Sequence, residues 1–513
     1  MKALHERSLG KRAAGILMPV FSLPSSYGIG TLGAEAFDFV DFLAQAGMHY
    51  WQVLPMGPTG YGDSPYQTFS TFAGNPYLID LELLIDDGFL TKKDVARVRF
   101  CESEQKIDYY LLYKNRLKVL RKAYEGFLKK ATKEQREAFE KFMSSQKAWL
   151  ADYTLFMTLK EQFKGEAWNK WPLEYKLRKK KALEAARIKY ADEIAFRQFV
   201  EFVFDTQWTD LRAYATAKNI EIIGDLPIYV AYDSADTWAN PSLFDLNPDG
   251  SPIEVAGCPP DAFSVTGQLW GNPLYKWDEH KRTGYRWWIK RFKKAFDMFD
   301  VLRIDHFRGF ESYYAIPAAH QTAEHGKWKK GPANALFKAM EQSIGVKKVI
   351  AEDLGFLTPA VKKMLATTGY PGMKILQFAF YPNESQAYEG DYLPHKYEHN
   401  CVVYTGTHDN ETTRSWFSSL AKSEQVFTAK YVNVKKKSEV VPALIRAGFA
   451  SVADTCIIPL PDFLNLDNEA RINTPSTLGG NWVWRVQKGA CTKELAAKIR
   501  QLAEVYGRIQ ESV

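Results

Sequence analysis

Val301-Leu302-Arg303-Ile304-Asp305-His306-Phe307-Arg308-Gly309-Phe310 is the stretch from which the fold can be read. Its first four residues form a short β-forming run. Alternation along a strand sends Leu302 and Ile304 to one side, and Arg303 and Asp305 to the other. If helices cover the apolar side, the guanidinium and the carboxylate face inward. An acid placed where the apolar residues stop recurs in Ile350-Ala351-Glu352-Asp353-Leu354-Gly355, in Thr407-His408-Asp409-Asn410 and in Gly224-Asp225-Leu226-Pro227. Each acid alone reads equally well as a turn or cap residue. Together they imply convergence, because buried carboxylates are costly unless something shared holds them.

Working outward, eight short runs have strand character: Gly15 to Val20, Tyr50 to Leu54, Glu221 to Gly224, Val301 to Ile304, Val349 to Ala351, Met373 to Phe378, Cys401 to Tyr404 and Thr455 to Ile458. Helical patterns separate them. Phe37, Val40 and Ala44 are spaced as one helix face, closed by Gly47. Thr358 can cap a helix that has Pro359 in its first turn and Gly369 just past its end. Eight strands alternating with helices predict an α/β fold, a (β/α)₈ barrel, whose active site belongs at the C-terminal ends of the strands. The four acids stand at such ends. The expected organisation is one catalytic domain over residues 1–513, with a largely helical insertion at 88–200 and a loop insertion near the active site at 226–283. Within the helical stretch Tyr110, Tyr113, Leu117, Leu120, Tyr124 and Phe127 fall at three- and four-residue steps, which predicts a core-facing stripe.

Composition narrows the partners. The 513 residues carry 67 basic and 60 acidic side chains, a net charge of +7 that is small for this length. The basic runs Lys176 to Lys181 and Lys435 to Lys437 contain no interleaved aromatics and read as solvated surface, so no nucleic-acid partner is expected. Five cysteines, at 101, 258, 401, 456 and 491, form no CxxC pair and no metal-ligand spacing. They suit a reducing, cytoplasmic setting. Lys2, Arg7, Lys11 and Arg12 precede the apolar run Ala13 to Phe21, but Glu6 and Pro19 interrupt any leader pattern, and the run reads as a first buried strand. No stretch approaches the roughly 18 apolar residues of a membrane span, so no membrane partner is expected.

The acids suit glycosidic cleavage, in which one carboxylate attacks the anomeric carbon and a carboxylic acid about 5 Å away protonates the leaving oxygen. Asp305 beside Arg303 suits the ionised nucleophile. Glu352, with no cation next to it in sequence, suits the general acid/base. Asp409, next to His408, can hold sugar hydroxyls and favour ring distortion. No cofactor or metal is required. A hydrolase on the same fold stays open, since it shares the covalent intermediate. In a metal-dependent sugar isomerase Arg303 would repel the ion beside Asp305, and a glucan-binding protein without catalysis would leave the converging acids without purpose.

Several longer motifs carry a resemblance. Met18-Pro19-Val20-Phe21-Ser22-Leu23-Pro24, Tyr61-Gly62-Asp63-Ser64-Pro65-Tyr66-Gln67, Gly267-Gln268-Leu269-Trp270-Gly271-Asn272-Pro273 and the acidic segments resemble, in order, the amylomaltases. These are 4-α-glucanotransferases, or disproportionating enzymes, of glycoside hydrolase family 77 in the α-amylase-like clan, and the likeness runs from about residue 13 to 485. It implies retaining, double-displacement transfer of α-1,4-glucan segments from maltooligosaccharide or starch to the 4-OH of an acceptor glucose or glucan. On matching positions it implies Asp305 as nucleophile, Glu352 as acid/base and Asp409 as transition-state stabiliser. Arg303, His408 and Asp225 would contact sugar hydroxyls at the bond being cut, Tyr61 would be a stacking platform, and Ser64, Gln268, Trp270 and Asn473 further sugar ligands. Gly257 to Ser264 resembles a loop arching over the acceptor groove, which Pro259 and Pro260 would stiffen. Val265 before Thr266 is a mild departure. The final helix near Val505 leaves no room for the C-terminal β-sandwich common in α-amylases and absent from amylomaltases.

Overall fold

The computed structural model describes residues 9–10, 12–60, 62–260, 264–355, 357–381 and 390–509. Lys2, Glu6, Arg7, Lys11, Tyr61 and Asp261 to Phe263 lie outside them.

Twelve strands are named here in chain order: β1 (Ala13–Leu17), β2 (Tyr50–Gln52), β3 (Glu221–Leu226), β4 (Glu254–Cys258), β5 (Gln268–Pro273), β6 (Val301–Ile304), β7 (Ser312–Pro317), β8 (Lys327–Lys330), β9 (Val349–Ala351), β10 (Gly372–Ile375), β11 (Cys401–Tyr404) and β12 (Thr455–Pro459). Eight of them form one sheet in the order β10-β11-β12-β1-β2-β3-β6-β9, with parallel pairing throughout. These are the eight strands the sequence predicts, and the sheet curls into the expected barrel. Between β9 and β10 the ladder gives way to two bonds, from Ala351 N to Pro371 O (2.9 Å) and from Met373 N to the Asp353 carboxylate (2.7 Å). Asp353 fits there because Gly372 has no Cβ, which would lie 2.4 Å from its Oδ2.

Several strand limits shift by one to three residues, and two of these shifts have clear local reasons. The first ends at Leu17 rather than Val20, because Pro19 has no N–H to give the ladder and starts a 3₁₀ turn over Val20–Ser22. The sixth ends at Ile375, and Leu376–Phe378 turn as a 3₁₀ segment. All of Ala13–Leu17 is buried, as a first barrel strand requires. Arg12 and Arg508 tie the N-terminal end of this strand to the chain's last described residues. Arg12 donates to the carbonyls of Phe449 (2.8 Å), Ser451 (2.7 Å) and Tyr506 (2.9 Å), and Arg508 to those of Phe449 (2.8 Å) and Ala13 (2.9 Å).

The helices used below are α1 (Ala34–Gln45), α2 (Tyr109–Lys130), α3 (Lys133–Gln162), α4 (Ala191–Ala217), α5 (Arg286–Met298) and α6 (Pro359–Thr368). α1 buries Ala36, Phe39, Val40, Phe42 and Leu43 against the barrel, while Phe37 and Ala44 sit at the margin of that face. α6 starts and stops as its sequence dictates: Thr358 Oγ1 accepts from Val361 N (3.3 Å), Pro359 opens the helix and Gly369 closes it at φ 68°.

Residues 88–200 are largely helical, and α4 runs on to Ala217 and feeds directly into β3. The expected core stripe of α2 holds for Leu120, Tyr124 and Phe127, whereas Tyr110 and Tyr113 are 69% and 72% exposed. The buried face is rotated by about one residue and runs through Tyr109, Leu112, Arg116, Val119 and Ala123. Steps of three and four fit either neighbouring face, and the sequence spacing could not choose between them. α3 contributes Tyr153, Phe156 and Leu159 to a separate small core with Trp168, Trp171 and Trp238.

A second sheet, β5-β4-β7-β8, is antiparallel throughout and lies outside the barrel. The segment 226–283, expected as a loop, supplies β4 and β5. Residues after Asp305 supply β7 and β8. No helix among the described residues is long and apolar enough to cross a membrane.

Candidate active site

The barrel ladder continues one residue beyond β6 and β9, so the acids are held by strand geometry. Asp305 N donates to Leu226 O, and Glu352 N donates to Ile304 O, each at 3.0 Å. Arg303, 3% exposed, points inward as alternation requires, and its Nη1 donates to Asp225 Oδ1 (2.9 Å), Asp225 Oδ2 (2.7 Å) and Asp305 Oδ1 (3.1 Å). One guanidinium thus ties the ends of β3 and β6 together. His306 then turns left-handed at φ 50°, which aims its N–H at Glu352 Oε2 (2.7 Å), while Leu354 N donates to Glu352 Oε1 (2.8 Å). Gly309 makes the turn possible, because a Cβ there would lie 2.7 Å from Ile228 and 3.0 Å from His306.

On the far side of the mouth Tyr66 Oη donates to Asp225 Oδ2 (2.8 Å), which leaves its oxygen to accept from His408 Nε2 (2.9 Å). The Tyr66 and His408 rings stack at 5.2 Å, with Trp482 against both. His408 Nε2 also lies 3.4 Å from Asp409 Oδ2. Asn473 Nδ2 donates to Asp409 Oδ1 (2.6 Å), and Asn473 N donates to His408 O (3.0 Å). Of the residues singled out from sequence, Asp225, Arg303, Asp305, Glu352, His408, Asp409 and Asn473 therefore meet in one cluster. Ser64 folds the turn that presents Tyr66: its Oγ accepts from Tyr66 N (3.3 Å), and its carbonyl accepts from Gln67 N (3.1 Å). Gln268 and Trp270 sit on β5. Trp270 Nε1 donates to Gln268 Oε1 (3.1 Å), and the indole meets the His306 ring edge to face at 4.9 Å. Tyr66 lies within the Tyr61 to Gln67 motif, whose local pattern gives it no role. Its neighbours Asp225 and His408 lie far off in sequence, so only its setting in a Pro- and Gly-rich loop could have flagged it.

The two central carboxyls differ in their surroundings. Burial pushes Asp305 up to about 6, Arg303 pulls it down, and Asp225 and Asp409 push it up again. Desolvation outweighs the guanidinium and holds Asp305 above the usual carboxylate range, yet it stays mostly ionised near neutral pH, with 29% of the side chain open to the cleft. Burial lifts Glu352 further, to about 7, against the pull of Arg303 and of its two backbone N–H donors. His306 is depressed to about 3 by burial and by Arg308, so it is neutral. Burial also lowers His408 and raises Asp225. Near neutral pH the site thus holds one carboxyl that is mostly ionised and one that is about half protonated, side by side at the strand ends.

Comparisons with known proteins agree with this geometry. A family model described as 4-alpha-glucanotransferase, glycoside hydrolase family 77, matches residues 18–492. A 4-alpha-glucanotransferase of Clostridium butyricum is 48% identical over 96% of this chain and all of its own length. One of Thermus thermophilus is 47% identical over 97% of this chain and 99% of its own. The solved structure of an amylomaltase from Streptococcus agalactiae in complex with acarbose superposes with a TM-score of 0.94, at 39% identity, covering 98% of this chain and 100% of that one. The barrel with acids at four strand ends is therefore that of an enzyme family that moves glucan segments between chains, and this protein belongs to the 4-alpha-glucanotransferases of glycoside hydrolase family 77.

Proposed function

We propose that the chain transfers α-1,4-glucan segments by double displacement, with Asp305 as nucleophile and Glu352 as acid/base. The observation that supports this division is that Asp305 accepts from the Arg303 guanidinium (3.1 Å), whereas Glu352 is held by the backbone N–H groups of His306 (2.7 Å) and Leu354 (2.8 Å), with no cation at ion-pair distance among the described residues. In the first half, an Asp305 oxygen bonds to the anomeric carbon as the C1–O4 bond breaks, and Glu352 gives its proton to the departing O4. The donor's reducing-end fragment leaves. In the second half, Glu352 takes the proton from the 4-OH of an acceptor glucose or glucan as that oxygen displaces Asp305, so one glycosidic bond is lost and one gained. The two displacements leave the anomeric configuration unchanged.

Asp409, held by Asn473, and Asp225, held by Arg303 and Tyr66, supply acceptors for sugar hydroxyls whose bonds strengthen as the ring flattens. Arg303 and His408 complete that contact set, Ser64, Gln268 and Trp270 line the path of the neighbouring sugars, and the motif alone assigns Tyr61 the role of stacking platform. The chain works as one catalytic domain, with 88–200 and 226–283 as insertions around the mouth and the cytoplasm as its compartment.

The test is to trap the intermediate. Glu352→Gln incubated with an α-maltosyl fluoride can form the ester without an acid but turns it over slowly. Digestion and mass spectrometry then locate the added sugar, expected on the peptide containing Asp305. A label on another carboxylate, or none despite fluoride release, contradicts the assignment.

A further inference from the structure

Behind Asp225 and Tyr66 lies a cavity of about 50 Å³, lined in part by Thr71, Pro227, Tyr229, Arg291 and Lys294. Loops facing each other across such a space are not fixed by packing. What spans it is Arg291 of α5, 2% exposed. Its Nε donates to Thr71 Oγ1 (2.7 Å), in the loop that carries Tyr66. Its Nη2 donates to Pro227 O and its Nη1 to Ile228 O (2.9 Å), in the chain leaving Asp225. Nη1 also donates to Tyr275 Oη (3.2 Å), and that hydroxyl donates to Ile228 O (2.9 Å). Thr71 is gripped from the other side, its N–H donating to the buried Asp236 (2.8 Å).

The same residue reaches the aromatic wall. Tyr275 stacks on Tyr229 at 6.0 Å and 16°, and Tyr229 backs Trp270 at 6.2 Å. Three supports of the site, namely the Tyr66 loop, the Asp225 strand end and the Trp270 wall, therefore converge on one side chain.

Its charge is met by carbonyl and hydroxyl dipoles and by the faces of Trp288 (4.7 Å) and Trp287 (5.7 Å), with no carboxylate at ion-pair distance among the described residues. Burying a cation in this way costs several kcal/mol, and an apolar side chain of similar volume would fill the space with less penalty. Filling space is thus a poor account of an arginine here. A planar fork that donates in several directions at once suits it, and a lysine supplies only part of that.

Resting on the transfer reading above, we propose that Arg291 is a positioning residue for transfer. Through Thr71 and Pro227 it sets Tyr66 against Asp225, and through Tyr275 and Tyr229 it sets the face of Trp270 that receives the acceptor. Displacements of an ångström at such points are enough to shift catalysis strongly.

The experiment compares wild type with Arg291→Lys, Arg291→Met and Thr71→Val on maltotriose, with glucose as added acceptor. It measures kcat, the KM for acceptor, the ratio of longer oligosaccharides to new reducing ends, and Tm. Arg291→Met should lose about 100-fold in kcat/KM and Thr71→Val about tenfold, and both should raise the acceptor KM and the hydrolytic share. Arg291→Lys should restore part of each. Folded variants with lower Tm but the wild-type transfer-to-hydrolysis ratio and acceptor KM would overturn the proposal. If the arginine variants do not fold, Thr71→Val decides on the same readouts. A wild-type enzyme that makes no longer products would instead overturn the transfer reading, a result visible before any variant is compared.

Discussion

The barrel mouth and the interface of α3 with α4 both bury carboxyls, and only one of them is built to react. Glu201 on α4 is 3% exposed and is pushed up to about 8 by burial, further than Asp305 or Glu352. It accepts from Gly74 N (2.9 Å) and is hydrogen-bonded to the Tyr153 hydroxyl on α3. It is packed within the helices, almost shut off from solvent. At the mouth the shifts are smaller, but Asp225 and Asp305 share one guanidinium, Glu352 stands at the next strand end, and Asp305 keeps part of its side chain open to the cleft. A perturbed pKa therefore marks desolvation, and desolvation becomes chemistry only where groups with separate roles converge on open space.

The largest effect that would break this contrast is at Asp305. Asp305→Asn should lower kcat by roughly 10⁴-fold or more, since an amide cannot form the glycosyl ester, while thermal unfolding stays cooperative near the wild-type Tm. Near-normal turnover by a folded variant would remove the nucleophile from the account. Next comes Glu352→Gln, expected to cost about 10³-fold on maltotriose in a role that general acids fill. On a glucosyl fluoride, whose leaving group needs no proton, the first displacement should lose far less. Equal losses on both substrates would move the acid elsewhere.

A change of about sevenfold is expected from the pH profile between its optimum, midway between the two carboxyl values, and pH 5 or 8. With the proposed roles, kcat/KM requires Asp305 ionised and Glu352 protonated, so activity should rise as pH passes about 6 and fall as it passes about 7. A profile flat from pH 5 to 8 would contradict the pairing. The smallest effect belongs to the other region. Glu201 binds its proton more tightly folded than unfolded, so its contribution to stability is complete below about pH 4 and is lost as pH rises toward about 8, at about 1.4 kcal/mol per unit. Glu201→Gln should flatten that slope in denaturant titrations while kcat stays within about twofold. A catalytic loss larger than that would erase the distinction between the two regions.

The barrel was legible because each strand carries its own local signal. Leu302 and Ile304 against Arg303 and Asp305, or Thr358, Pro359 and Gly369 around α6, are read within a few residues. The acids were legible for the same reason, each standing where a strand stops. The sheet β5-β4-β7-β8 was not, since its strands come from both sides of β6 and one of them, Lys327-Trp328-Lys329-Lys330, has no apolar alternation to betray it. Tyr66 and Arg291 escaped because their partners are distant in sequence: Tyr66 meets Asp225 and His408, and Arg291 meets Thr71 and Ile228. The ionisation of Asp305 was read from its neighbour Arg303, and burial, which no local sequence window displays, proved the larger influence.

Capture of the glycosyl intermediate by sugar rather than water is what separates this enzyme from a hydrolase with the same acids, and maltotriose tests it most directly. Water stands at about 55 M, so transfer requires an acceptor held in place and solvent kept off the ester. With purified wild-type protein, the account predicts glucose and a ladder of longer maltooligosaccharides while the count of reducing ends stays almost constant. A steady rise in reducing ends, with no product longer than the substrate, would contradict it.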